Sequence, residues 1–148
     1  MKIEKVNIET LENIVSLNTN IFKALYSWTP FTLEEYKEKL AKVTPLLLVV
    51  KDGDTIVGDS ISFEKDDFCY IWILGVSSTH RNQGIATQLF TINETYAKEN
   101  AYKKIGIKIY NVSKEMLRLA IGRGYTIIDI IKNENPIYNA VIVELTIQ

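Results

Sequence analysis

One cysteine, one histidine and no long apolar run narrow the field before any motif is read. Cys69 is the single cysteine of the 148 residues, so no intramolecular disulfide can form and a Cys-rich zinc site is excluded. It lies between Phe68 and Tyr70 and reads as a small buried apolar residue, kept reduced. No apolar stretch approaches the ~18 residues that a membrane span needs. The stretch MKIEKVNIET carries acids and no apolar segment, unlike a signal peptide. The expectation is a soluble cytoplasmic protein that contacts no membrane. An excess of positive charge is also lacking: 17 Lys and Arg face 18 Asp and Glu, giving a net charge of −1. A nucleic-acid binder would usually be basic, so none is expected. Neither G-x-x-x-x-G-K-[S/T] nor G-x-G-x-x-G is found. His80 reads as a surface residue.

What is present is a globular mixture, 47% hydrophobic and 24% charged, long enough for one domain over 1–148 with a core that needs no staples. Residues 1–8 alternate as a short strand. Thr10 is positioned to cap a helix whose stripe is Leu11, Ile14, Val15, Ile21, Phe22 and Leu25. Thr32 begins a second helix with Glu34 and Glu35 in its first turn, where the helix dipole favours acids, and Thr44 and Pro45 close it. LLLVV (46–50) is a strand-length apolar run, KDGD (51–54) a hairpin turn, TIVGDSISFE (55–64) the returning strand and KDD (65–67) another turn. FCYIWILGV (68–76) is β-branched and aromatic, as a central strand should be. A helix over 84–98 follows, then a strand at 104–110, a helix at 114–124, and strands at 125–131 and 137–147. The order is β-α-α-β-β-β-α-β-α-β-β. It predicts an α+β fold with one mixed, mostly antiparallel seven-stranded sheet and four helices on its two faces.

The stretch HRNQGIATQL (80–89) places polar residues and one glycine directly against a helix start. The first amides of a helix have no internal partner and carry the positive end of its dipole, which suits a phosphate. Gly84 lets a ligand approach the backbone, Ala86 keeps the first turn small, and Arg81 adds a full charge. These parts suit a pyrophosphate cradle or an ordinary turn.

VSSTHRNQGIATQLF resembles the signature of the GNAT superfamily of acetyl-CoA-dependent N-acetyltransferases, Q/R-x-x-G-x-G/A, met by Arg81, Gly84 and Ala86. NVSKEMLRLAIGRGYTII (111–128) is similar to the family's second motif, an Asn and a short helix leading through Gly-Tyr into a strand. The element order also follows the family over essentially the whole chain. The resemblance implies acetyl-CoA as co-substrate, no metal, and one N-acetyltransferase domain. It puts the pyrophosphate on the backbone of Arg81, Asn82, Gln83, Gly84, Ile85, Ala86 and Thr87. The pantetheine arm would run beside Leu74 and Val76 as an added strand, with the Val76 N–H donating to the thioester oxygen and the oxyanion formed from it. Gly75 falls where the family strand bulges and splays. Asn111 matches the family's Asn that reaches the CoA arm, and it could equally cap the helix near Ser113.

The implied reaction is direct attack of a primary amine on the thioester. The family's usual acidic tyrosine falls at Ala120 in this chain, so no general acid carries over. Glu64 is the nearest carboxylate for a base, and it also reads as a solvated turn residue beside KDD. Trp28, Tyr70 and Trp72 give the acceptor side an aromatic character, and acids are too few there for a polycationic acceptor. The expected acceptor is a small amine or an amino acid. A protein N-terminus or lysine, or a CoA-binding module without strong catalysis, are the alternatives. A homodimer is left open.

Overall fold

The computed structural model describes residues 1–26 and 30–148. Seven strands form one sheet: β1 (Lys2–Val6), β2 (Leu46–Asp52), β3 (Thr55–Lys65), β4 (Phe68–Val76), β5 (Lys104–Tyr110), β6 (Thr126–Ile131) and β7 (Ala140–Thr146). The helices are α1 (Leu11–Leu25), α2 (Leu33–Leu40), α3 (Ile85–Glu99) and α4 (Lys114–Gly122). The strand order is β1-β2-β3-β4-β5-β7-β6. Only β4 and β5 run parallel; every other pair is antiparallel. The order and class are those expected from the sequence, and short 3-10 turns are added at 8–10, 78–80 and 136–138.

Local chemistry explains the element starts. Thr32 accepts from the Glu35 amide at 3.2 Å while Glu35 accepts from the Thr32 amide at 3.0 Å, a reciprocal capping box for α2. Thr10 does not cap α1, because its backbone is already helical and its side chain makes no cap bond. Asn7 performs that service one turn earlier, accepting from the Glu9 amide at 3.0 Å.

The sheet is covered on both faces, which is why β2 is an unbroken apolar run. Leu46, Leu48 and Val50 enter a core with Ile85, Leu89, Phe90 and Ala97 of α3 and Ala120 of α4. Leu47 and Val49 point to the opposite core, with Leu11, Ile14 and Val15 of α1 and Tyr36 and Leu40 of α2.

Strand β4 is irregular in two places. Ile61 of β3 pairs with Ile73 and Ser62 with Ile71, so Trp72 is an extra residue, a β-bulge. Trp72 and Ile73 therefore both lie against the α1/α2 core. The pairing of β4 with β5 is also brief: Cys69, Tyr70 and Ile71 meet Ile105, Gly106 and Ile107, and the strands then part. The expected bulge at Gly75 thus sits three residues earlier, at Trp72. Gly75 is glycine for another reason. A Cβ there would lie 3.2 Å from both Asn18 Oδ1 and Ile21 Cδ1 of α1, so the close approach of the helix needs its absence.

A buried polar network ties α3 to β3. Asn93 accepts from the Ser62 hydroxyl at 2.5 Å and donates to Ser60 Oγ at 3.0 Å and to the Leu89 carbonyl at 2.8 Å. All three side chains are wholly buried. Hydroxyls left without a partner there cost about 1–3 kcal/mol each. Asn93→Ala should therefore destabilise the fold by about 3 kcal/mol, seen as a lower urea midpoint at unchanged slope. A loss below about 0.5 kcal/mol, the range of ordinary surface changes, would show that the network does not hold α3.

Candidate active site

Where β4 and β5 part, a cleft of about 530 Å³ opens, within the usual range for a small-molecule site. Its walls are Trp72–Val76 of β4, Ile107–Tyr110 of β5, the end of α1 from Ile21 to Tyr26, the turn before α3, and residues 112–116 and 119 at α4. Past Ile71 the β5 side of β4 has no strand partner among the described residues. The Ser77 amide donates to the Val57 carbonyl at 2.8 Å, back toward β3. Successive amides of a strand point to opposite sides, so the Val76 and Leu74 amides face the opening.

The floor of the cleft runs into the glycine turn. Gly84 is left-handed (φ 78°, ψ 10°) and forms the N-cap of α3 without any side-chain cap bond. The helix thus begins at Ile85, one residue later than the spacing suggests, and Gly84 does not have helical φ. Asn82 shares the positive φ, at 62°, a region that asparagine tolerates better than most residues. The first backbone bond of the helix runs from Gln88 to the Gly84 carbonyl at 3.0 Å. The amides of Ile85, Ala86 and Thr87 therefore lie ahead of the helix's own ladder. Nothing lies within 4 Å of where a Cβ on Gly84 would stand. Arg81 reaches the same end of the cleft and places its Nε 3.5 Å from the Val76 carbonyl. Open amides, a dipole and one guanidinium fit an anionic phosphate.

The structure gathers Leu74, Val76, Arg81, Asn82, Gly84, Ile85, Ala86, Thr87 and Trp72 around this cleft. Gln83 is exposed and lies off its lining. Asn111 does not cap α4 and lies off the cleft lining. It donates to the Pro136 carbonyl at 3.4 Å and accepts from Lys114 Nζ at 2.5 Å, while Ser113 is the N-cap of α4. Val112 and Ser113 face the cleft instead.

Glu64 is corrected more sharply. It pairs with Cys69 at the far end of β4, and at about 3.3 Å per residue that is roughly 23 Å from Val76. There it accepts from the Tyr102 hydroxyl at 3.1 Å, so it cannot serve the cleft. Tyr70 also stands back from the cleft. Its ring packs on Phe63 at 5.8 Å and lies under Lys65 Nζ at 4.7 Å. Trp28 lies outside the described residues. His80 reaches the cleft, but both ring nitrogens are engaged, with Asp52 Oδ2 at 2.8 Å and Thr79 Oγ1 at 2.7 Å. Ala120 is wholly buried, so no side-chain acid occupies that position.

Phe22 and Leu25 read in the sequence only as part of a helix stripe, whereas Tyr26 opens the aromatic stretch YSWTPF (26–31) expected on the acceptor side. Phe22, Leu25 and Tyr26 line the α1 wall of the cleft. The Tyr26 ring packs on Tyr110 at 4.9 Å, and its hydroxyl lies 3.4 Å from Ser113 Oγ. Burial raises the Tyr26 and Tyr70 hydroxyls above the ordinary range, so both stay protonated at neutral pH. Asp59 is another residue that the sequence does not mark. It is wholly buried on β3, accepting from Asn18 Nδ2 at 2.9 Å, and burial pushes its carboxyl up to about 8.

The model of the acetyltransferase (GNAT) family matches residues 11–125. The chain belongs to the GNAT family. That makes it a member of an acyltransferase family that takes the acetyl group from acetyl-CoA to amine acceptors. No curated protein matches the chain in sequence. Among solved structures, the ribosomal-protein-S18-alanine N-acetyltransferase of Escherichia coli is similar in fold, with a TM-score of 0.82 at 11% identity over 99% of this chain and 94% of that one. The smu.2055 protein of Streptococcus mutans UA159 gives 0.81 at 17% identity over 100% of both chains. NAA60 of Arabidopsis thaliana, solved with a bisubstrate analogue, gives 0.77 at 14% identity over 98% and 97%. At these identities the likeness is one of fold.

The geometry of Gly84 decides how the cradle is best tested. A glutamate there would be strained by the left-handed backbone, whereas Asp and Asn tolerate it. Gly84→Asp and Gly84→Asn differ by one charge at nearly the same size. A carboxylate ~4 Å from a phosphate repels by about 4 kcal/mol at an effective dielectric of 20. Calorimetric titration should show CoA affinity lower by nearly three decades in Gly84→Asp than in Gly84→Asn. Equal affinities in the two folded variants would remove the phosphate from this turn.

Proposed function

We propose that this GNAT protein moves the acetyl group of acetyl-CoA to the primary amine of a small molecule or amino acid, by direct attack. The observation that carries the reading is the continuity of the opening between β4 and β5 with the uncapped start of α3. In this reading the pyrophosphate rests on the amides from Gly84 to Thr87, with Arg81 beside it. The arm pairs with the outward amides of Leu74 and Val76 as an added strand. Acetyl-CoA supplies the activated acyl group; the protein orients it and receives the developing negative charge on the Val76 N–H. Glu64 has no part in it; the Gln83 amide and Asn111 belong to the same reading as contacts to the pyrophosphate and to the arm.

The acceptor class follows from the walls. Phe22, Leu25, Tyr26 and Trp72 are apolar or aromatic, and Trp72 stacks within reach of Tyr36 at 5.1 Å and Phe31 at 5.6 Å. Glu115 is the one carboxylate among the described lining residues, and it is exposed and paired with Arg118. Such walls shelter the apolar neighbour of an amine and can face its cation; they do not suit a polycation. A cytoplasmic setting belongs to the same reading, supported by the buried free thiol of Cys69. So does a homodimer. β6 is an outer strand, and Ile127, Ile128 and Ile130 on it are about half exposed (48%, 51% and 59%), a surface that a second copy would cover. Sedimentation should give a dimer for the parent and a monomer for Ile128→Lys; a monomeric parent removes the dimer from the proposal.

One observation favours a second reading, a CoA-binding module with weak chemistry: Ala120 leaves the usual acid position without a proton donor. Thiol release from acetyl-CoA across a panel of primary amines, amino acids and amino-terminal peptides separates the two. Turnover with a small amine is expected, as is thermal stabilisation by CoA equivalent to ~2.7 kcal/mol at 100 times Kd. CoA binding without any thiol release would favour the second reading. Release with peptides alone would make the acceptor a protein.

A further inference from the structure

An aliphatic ammonium has a Lys-like pKa of ~10 and holds its proton at neutral pH, so amine acetylation needs a proton acceptor near the splay. One carboxylate lies beside it. Asp59 stands opposite Gly75 in the β3–β4 register, and Gly75 lines the cleft. One Asp59 oxygen, Oδ2, is satisfied by the Asn18 amide nitrogen. Asp59 Oδ1 and Asn18 Oδ1 are buried with no hydrogen-bond partner among the described residues. Both come close to Gly75, at 3.5 and 3.2 Å from the point where its Cβ would stand. Two buried acceptors around one point call for a donor between them, since each orphan costs about 1–3 kcal/mol. Glycine at 75 lets α1 bring both acceptors up to the β4 wall of the cleft. The titratable group facing the pair from α2 is the Tyr36 hydroxyl, held above its ordinary range by burial first and by Asp59 second, with its interaction with Asn18 offsetting part of the rise, so it stays neutral. On α1 the facing groups are Asn18 and Ile21, which do not titrate.

We propose that Asp59 is the proton acceptor for the amine, working through a water seated between Asp59 Oδ1 and Asn18 Oδ1 beside Gly75, with Asn18 as the positioning residue. The inference rests on the acetyl-transfer reading above. The ammonium passes one proton through the water to the Asp59 carboxylate. The freed nitrogen lone pair then forms the C–N bond at the thioester carbon. The C–S bond breaks, the sulfur leaves with its electron pair, and it takes the remaining excess nitrogen proton to become the CoA thiol. Protonated Asp59 returns its proton to solvent through the cleft, so the sum is amide, thiol and one proton. A carboxyl poised at about 8 suits this work, because a base is best placed near the working pH. Below that value Asp59 is protonated and cannot accept, so the rate should climb as the pH rises through about 8.

The test uses the full chain with acetyl-CoA and 2-phenylethylamine, a primary amine whose apolar body matches Phe22, Leu25 and Trp72. Single-turnover rates are followed from pH 6 to 10 in the parent and Asp59→Asn, with CoA titration calorimetry on both. The expected result is a folded variant with parental CoA affinity, a rate at least ~100-fold lower at pH 8.5, and a profile that goes on rising toward the amine's own ~10 where the parent levels off above about 8. A parental rate and pH profile in Asp59→Asn would overturn the proposal and leave the pair structural. No transfer by a parent that binds CoA would instead overturn the acetyl-transfer reading, and this role with it. Should Asp59→Asn fail to fold, carbon-13 NMR of the Asp59 carboxyl in the parent decides. A titration near pH 8 supports the role, and a carboxylate already ionised at pH 5 overturns it.

Discussion

The brief parallel pairing of β4 with β5 is the constraint on which the site depends. Cys69–Ile71 bind Ile105–Ile107, and then the two strands separate. Had the ladder continued, the outward amides of Leu74 and Val76 would be spent on β5. Had it never formed, the sheet would divide in its middle. The bulge at Trp72 works with the separation, since an extra residue bends the strand that carries it and turns a tryptophan to the acceptor side. Next to the opening, the chain leaves β4, makes one 3-10 turn and enters α3 through a left-handed glycine. Backbone geometry thereby aligns a groove, a strand edge and a positive helix end.

The two faces of β3 treat buried polarity differently. On the α3 side, Asn93, Ser60 and Ser62 satisfy one another, which is what a structural network needs. On the α1 side, Asn18 and Asp59 share one bond and leave two acceptors unmet beside the cleft wall. Stability alone does not account for that second pair, because replacing a buried unsatisfied acid by an apolar residue is commonly neutral or stabilising. A pair that costs stability at the edge of a site is better explained by chemistry.

Much of this is legible in the residues. Strand and helix order follows from period, since runs such as KIGIKIY and LLLVV allow few other readings. Arg81, Gly84 and Ala86 mark the turn that opens onto the cleft. The departures have physical causes. Glycine in a strand commonly marks a bulge, whereas Gly75 makes room for α1. Glu64 is the acid at the end of the strand beside β4, but a strand carries its residues away from one another at about 3.3 Å per step. The place of Asn111 before a helix suggests a cap or a ligand contact, yet Pro136 and Lys114, distant or flexible partners, claim its side chain. Asp59 escapes notice because a single acid in a strand gives no sign of its burial. An Asp beside Gly58, between the apolar Val57 and Ile61, is the available signal.

The central claim is that one ligand, acetyl-CoA, lies along β4 and ends on the start of α3. Residue-resolved amide hydrogen exchange with and without CoA tests it most directly. The account predicts slowed exchange at Leu74 and Val76 and at Ile85, Ala86 and Thr87 together, with Gly75, whose amide faces β3, little changed. Unchanged exchange at both groups of amides in the presence of saturating CoA, or protection confined to another face of the sheet, would contradict it.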